Sequence, residues 1–403
     1  MPLTVAEAIA GELAAAGVDR VFGLPGGEIV PLIDACRRRG IAFVLCRHEA
    51  NAGLMAGVYG RLRGGVGVVL TTLGPGAANL LLPVANSRLD REPLVAISAQ
   101  VPDTWPASRI HQRLPLREMF SPVVKMTAAL EPFSCARTVR RALGAAREEP
   151  AGPVYLTLSS DAAQRQSLDP GPGGAEAPSR VDGRDAGAAA RAVHERLAAA
   201  RRPVLLVGLG ADPDLAPLVR RWVDEWGLPV AVTPKVKGIV DERDPHFGGV
   251  VGGMAVDALM VDALRGADLV VGLGLDPTEI DGGWHDEVPM LWVLESAWAT
   301  GVAPSRDVVA GPLRELLEEL LAGPAPAPWE ADPLAAAREE RRRLLAAETP
   351  PRPGAVAPLA IVRRLAAVLP GETIVTTDVG SHKFLFGQFW PSRDPQTFLM
   401  SNG

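Results

Sequence analysis

The chain has 403 residues, 47% hydrophobic and 22% charged, with a formal net charge of −6 at pH 7. That composition fits a packed globular protein of two or three domains, and the absence of a basic tract argues against nucleic acid as a partner. Cys36, Cys46 and Cys135 are widely spaced and form no Cys-x-x-Cys pair, which argues against a disulfide scaffold or zinc site and for a reduced, cytoplasmic protein.

The first residues run straight into an amphipathic helix and lack the basic-then-apolar order of a signal peptide. The spacing predicts a helix over 4–16, with Thr4 as N-cap and Glu7 three residues on. Strand 20–23, helix 28–39, strand 41–45, helix 50–63, strand 66–72, helix 77–89 and strand 94–98 follow. The apolar stretch 66–85 is broken by Gly74-Pro75-Gly76, which fits strand, turn and helix better than a membrane span. After an irregular stretch come helix 135–148 and strand 154–158. Such alternation predicts a parallel sheet covered by helices on both faces.

Residues 164–188, rich in Gly, Pro, Asp and Ser, read as a linker. A second unit follows, with strands 204–207, 230–233, 269–273 and 291–294 and helices 215–226, 255–265 and 312–321. A Pro-Ala repeat and an Arg/Glu-rich helix make a second linker, and a third unit opens with helix 358–369, strand 373–377 and the turn Asp378-Val379-Gly380. The expected class is α/β: three consecutive units with parallel sheets covered by helices. Their boundaries are 1–165, 189–325 and 353–403, joined by linkers 166–188 and 326–352. The third holds 51 residues, against about 100–150 for a typical domain, and is expected to be incomplete.

In an open parallel sheet, ligands bind beyond the C-terminal strand ends. In the first unit those ends carry Leu24-Pro25-Gly26-Gly27, Arg47-His48-Glu49, Leu73-Gly74-Pro75-Gly76 and Ala99-Gln100. Glycines there let the backbone approach a ligand and leave helix N-terminal amides free to donate. By position Glu49 is either a first-turn carboxylate stabilised by the helix dipole or a partly desolvated one suited to sharing a proton.

Four motifs then stand in order: Val21-Phe22-Gly23-Leu24-Pro25-Gly26-Gly27-Glu28, Arg47-His48-Glu49-Ala50-Asn51-Ala52, Thr71-Thr72-Leu73-Gly74-Pro75-Gly76-Ala77-Ala78-Asn79, and Asp90-Arg91-Glu92-Pro93 running on to Ala99-Gln100. Together they resemble the thiamine-diphosphate-dependent enzymes of the acetolactate synthase large-subunit kind, and the similarity extends through the second unit into the third. The resemblance implies 2-keto acid decarboxylation or carboligation with thiamine diphosphate and Mg2+. Glu49 would hydrogen-bond N1′ of the aminopyrimidine and promote the tautomer that takes the thiazolium C2 proton. It assigns cofactor binding to Pro25, Gly26, Glu49, Thr72, Gly74, Asn79, Gly380, Ser381 and His382, and catalysis to Glu49 and Gln112. It also implies a homodimer or homotetramer, with the site between one chain's first domain and another's third.

The chain departs from that pattern in places. Around Gln112, His111 stands for the family's aromatic residue and Arg113 for its acid; on position alone His111 reads as a structural or surface residue. Lys125 sits where the synthases have a lysine, and its other reading is a solvated surface residue. Gly208-Leu209-Gly210 lacks the third glycine of a dinucleotide fingerprint and reads as a tight strand-to-helix turn. The segment Gly274-Leu275-Asp276-Pro277-Thr278-Glu279 resembles the flavin-free catabolic branch, which argues against FAD. The family's metal-binding Gly-Asp-Gly does not occur in these 403 residues, so no metal ligand is assigned. An alternative expectation is therefore a catalytically incompetent truncated homologue or assembly partner.

Overall fold

The computed structural model describes residues 2–169, 185–252, 257–280, 283–296, 307–326, 328–346 and 356–401. The Gly/Pro-rich 170–184 of the first expected linker and 347–355 at the end of the second lie outside them. The described residues divide into two compact units, one ending at residue 169 and one running from 185 to 401.

The first unit runs α1 (Val5–Ala15), β1 (Arg20–Leu24), α2 (Val30–Arg38), β2 (Ala42–Leu45), α3 (Glu49–Leu62), β3 (Gly67–Thr71), α4 (Pro75–Ala78), α5 (Leu81–Leu89), β4 (Leu94–Gln100), α6 (Leu116–Phe120), β5 (Thr127–Ala129), α7 (Cys135–Arg147) and β6 (Val154–Ser159). Its strands form one sheet in the order β2-β1-β3-β4-β6-β5, parallel throughout. The capping box forms as the sequence predicts: Glu7 N donates to Thr4 Oγ1 at 3.2 Å and Thr4 N to Glu7 Oε2 at 2.8 Å. The helix expected over 77–89 is instead two, α4 and α5, parted at Asn79 and Leu80. The three-residue edge strand β5 falls in the stretch that looked irregular.

Helices cover both faces of this sheet. On one, Ile9 and Leu13 of α1, Leu32 of α2 and Val139 of α7 join a single apolar cluster. On the other, α3 and α5 lie over β3 and β4, and the Phe120 and Tyr155 rings stack 3.8 Å apart. There α3 meets β3 backbone to backbone. A Cβ on Gly67 would stand 1.9 Å from Ala56 O, and one on Gly60 would stand 2.1 Å from Gly67 N.

The second unit runs α8 (Ala186–Ala199), β7 (Pro203–Val207), α9 (Ala216–Trp226), β8 (Val230–Val232), β9 (Phe247–Val250), α10 (Asp257–Arg265), β10 (Leu269–Leu273), β11 (Met290–Leu294), β12 (Val308–Ala310), α11 (Leu313–Ala322), α12 (Ala335–Ala346), α13 (Pro358–Val368), β13 (Val375–Thr377), α14 (Ser381–Phe389) and β14 (Phe398–Met400). One parallel sheet has the order β12-β11-β10-β7-β8-β9, and β13 and β14 pair as a second, two-stranded parallel sheet. Residues 356–401 thus cluster with the central sheet in one compact unit. A fully buried ion pair fastens them: Lys237 Nζ donates to both Glu242 oxygens at 2.7 Å and to Trp390 O at 2.9 Å. Among the described residues no helix is long and apolar enough to cross a membrane.

Gly60→Ala forces a methyl into the β3 backbone and is expected to lower stability by about 1–3 kcal/mol in urea unfolding. Gly144→Ala in α7, where a Cβ meets nothing within 4 Å, is the control and should be neutral or slightly stabilising.

Candidate functional site

In the first sheet the chain passes from β1 to β2 on one side and returns to β3 on the other. That reversal opens a crevice at the C-terminal ends of β1 and β3, where open α/β sheets bind ligands. Pro25 and Gly26 follow β1, and Thr72 and Gly74 follow β3. Gly26 abuts Thr72, whose Oγ1 donates to Glu28 Oε2 at 3.1 Å.

Glu49 is the first residue of α3, after the N-cap His48, whose Nδ1 accepts from Ala50 N at 3.1 Å. It is therefore a first-turn residue, and it is buried, 6% exposed. Asn79 Nδ2 donates to Glu49 Oε2 at 2.9 Å, so the break between α4 and α5 supplies the carboxylate's partner. The other oxygen faces Gly76: a Cβ there would stand 2.9 Å from Glu49 Oε1 and 2.4 Å from Thr72 Cγ2. A buried carboxylate fixed on one oxygen and bordered on the other by bare backbone fits a flat heteroaromatic ring presenting a protonatable nitrogen.

Gln112 is exposed, at φ +55°. Its backbone and Cβ press on Gly74, itself at φ +59°, where a Cβ would stand 3.0 Å from Gln112 Cβ. The loop is tied down by Gln100, whose Nε2 donates to Leu114 O at 3.1 Å, and by Arg113, whose guanidinium donates to Trp105 O at 3.2 Å. His111 is exposed beside Gln112. Lys125 is neither a free surface residue nor part of this cluster: its ammonium donates to Pro150 O at 3.0 Å and to Glu148 O, and burial lowers its pKa.

Pro25, Gly26, Glu49, Thr72, Gly74, Asn79 and Gln112 thus belong to one strand-end cluster of the first unit, and Gly380, Ser381 and His382 belong to the second. Gly380, at φ +147°, is the N-cap of α14 and leads into exposed Ser381 and His382. The open helix terminus has the amides and dipole sense that suit a phosphate. Two contributors escaped the sequence reading, Glu28 behind Thr72 and Gly76 beside Glu49. Both stand in quoted motifs, but only the fold gives their neighbours.

The second sheet has its own reversal, between β7 and β10. This crevice is filled by the protein itself. Glu279 is 7% exposed; its Oε2 accepts from Leu209 N at 2.6 Å and its Oε1 from Thr233 Oγ1 at 2.5 Å. Gly210 N donates to Gly274 O at 2.7 Å, and a Cβ on Gly208 would stand 2.7 Å from Leu275 Cα. The amide that a phosphate would use is already held by a carboxylate.

Burial pushes the Glu279 carboxyl up to about 7, opposed by the hydrogen bonds from Thr233 and Leu209. Raised in the folded state, this group adds stability below its unfolded pKa near 4.5 that is lost as pH rises through 7. The unfolding free energy from urea denaturation followed by tryptophan fluorescence, which reports mainly the second unit, should fall over that window by an amount on the order of 3 kcal/mol. Glu279→Gln should flatten that dependence.

Comparison with known proteins agrees with this geometry. Residues 3–119 match the thiamine pyrophosphate enzyme N-terminal TPP-binding domain, and residues 190–290 match the central domain of the same enzymes. An acetolactate synthase of Bacillus subtilis is 28% identical over 99% of this chain and 71% of its own length. A catabolic acetolactate synthase of Raoultella terrigena is 29% identical over 99% and 72%. A probable 2-ketoarginine decarboxylase of Pseudomonas aeruginosa is 31% identical over 100% and 72%. With the Glu49 cluster at the first switch point and two family domains in sequence order, the chain belongs to the thiamine-pyrophosphate enzymes, in the acetolactate-synthase-like group.

Proposed function

We propose that the chain acts in thiamine-diphosphate-dependent decarboxylation of a 2-keto acid, followed by carboligation or protonation. The observation that carries this reading is the buried Glu49 carboxylate, held by Asn79 and bordered by Gly76. When bound, thiamine diphosphate supplies the electron sink for loss of carbon dioxide. The chain's part is to hold and move a proton. Glu49 would hydrogen-bond the pyrimidine nitrogen, and burial keeps water from competing for it. Asn79 fixes the carboxylate rotamer. Pro25, Gly26, Thr72 and Gly74 would wall the ring, with Thr72 held by Glu28.

Gly380, Ser381 and His382 are the residues we assign to the diphosphate, with Mg2+ offsetting its charge. We read the second unit as flavin-free, supported by the Glu279 carboxylate on Leu209 N. Two copies would associate, as apolar Met55 of α3 and Leu82 and Leu89 of α5 are exposed on the helices around Glu49. Three buried free cysteines favour the cytoplasm.

The test is a titration of the chain with thiamine diphosphate, with and without Mg2+, followed by turnover of 2-keto acids of graded size. Glu49→Gln should cut turnover by about 10²–10⁴ while leaving the fold intact by circular dichroism. Undiminished turnover would remove Glu49 from the mechanism. Gly76→Ala, by displacing the Glu49 carboxylate, should cost about 10² in turnover with Mg2+ dependence unchanged.

A further inference from the structure

The first unit holds a separate cavity of about 550 Å³, within the range of small-ligand sites. It lies along α1, with Arg39, Ala136, Ser167 and Asp169 on its other walls. None of its residues belongs to the loops that carry Glu49, Thr72, Gly76 or Asn79. On α1, Ala8, Gly11 and Ala15 recur on one helical face and keep the space open. A Cβ on Gly11 would have only the Arg39 guanidinium near it, at 3.8 Å.

Glu12 lines this cavity and is 3% exposed. Its Oε2 has a distant ion pair with Arg140 Nε, at 3.7 Å, and its Oε1 has no hydrogen-bond partner among the described residues. A buried carboxylate oxygen without a donor is costly, and native proteins rarely leave one without a reason. Burial raises the pKa of Glu12, and the nearby Asp169 raises it further against the pull of Arg140. Asp169 accepts from Arg137 N at 3.1 Å and donates its own amide to Ser167 Oγ at 3.3 Å, which sets its carboxylate in place at the cavity wall.

Three carboxylates line the cavity; Glu7 is already engaged by Thr4 and Arg38, which leaves Glu12 and Asp169 to meet the Arg39 guanidinium across a small-residue, aliphatic wall. Among the described residues these carboxylates do not converge into a group of three that could hold a metal ion. We propose that this cavity binds a small zwitterion, its ammonium taken by Glu12 and Asp169, its carboxylate by Arg39, and its aliphatic body by the alanines of α1 and Ala136. A ligand there acts on α1 and on the 167–169 segment, away from the Glu49 chemistry, as a regulator would.

The experiment uses the full chain with four six-carbon probes, read by calorimetry and thermal shift. Two are isomeric zwitterions, L-norleucine and 6-aminohexanoate; two carry one charge each, hexylamine and hexanoate. At least one zwitterion should bind and raise the melting temperature, hexylamine should bind more weakly, and hexanoate should not bind. Glu12→Gln should weaken the bound zwitterion by about tenfold or more. Gly11→Met, which fills the cavity from an open helix position, should abolish its binding and leave thiamine diphosphate titration unchanged. Binding of no probe, equal binding of hexanoate, or full affinity in both variants would overturn the proposal.

Discussion

The seat of α3 on β3 is the constraint on which the first unit's site depends. Gly60 and Gly67 bring helix and strand backbones into contact, and Gly67 also lies against Ala56 O. A helix held that close has little freedom to slide or rotate. Its first residue, Glu49, is thereby fixed at the strand-end crevice, within reach of an asparagine that the α4–α5 break delivers from the other side. The placement of this buried carboxylate is set by side chains that are absent.

The two large sheets make opposite use of the same topology. Each is a parallel α/β layer with a chain reversal at its middle, and each reversal opens a crevice beyond the strand ends. In the first, glycines line the opening and a buried carboxylate stands at its edge. In the second, Glu279 reaches back to the Leu209 amide and Thr233, and the two glycine turns press together. One strand-end edge carries glycines beside a buried carboxylate and the other is filled from within, so shared fold and separate chemistry are compatible in one chain.

Most of the architecture was legible in the sequence, because buried parallel strands are short apolar runs and the helices between them carry caps and small-residue faces. Thr4 with Glu7 marked α1 correctly. Four strands went unseen: β5, β9, β12 and β14. Each has only three or four residues and lies at a sheet edge, too short for periodicity to register. Helix α8 was not read at all: its first turn fell within the expected linker 166–188, and an alanine-rich helix next to Gly and Pro gives little amphipathic signal. The strand-end motifs did point to Glu49, Thr72, Gly74 and Asn79. That Asn79 holds Glu49, thirty residues away, is a property of the fold. So are the long-range contacts of Glu279, and the sequence could offer Glu12 only as one more charged residue in a helix.

The buried ammonium of Lys237 gives the second unit a property that no single helix or sheet would. It joins Glu242 of the central part to the Trp390 carbonyl beyond α14. Were residues 356–401 to peel away, a charge would lose one of its acceptors and meet solvent from an otherwise apolar bed. Fraying of that segment is therefore tied to opening of the layer beneath it. The unit is expected to unfold as a block, and a ligand at the α14 terminus would be felt in the central sheet as added resistance to unfolding.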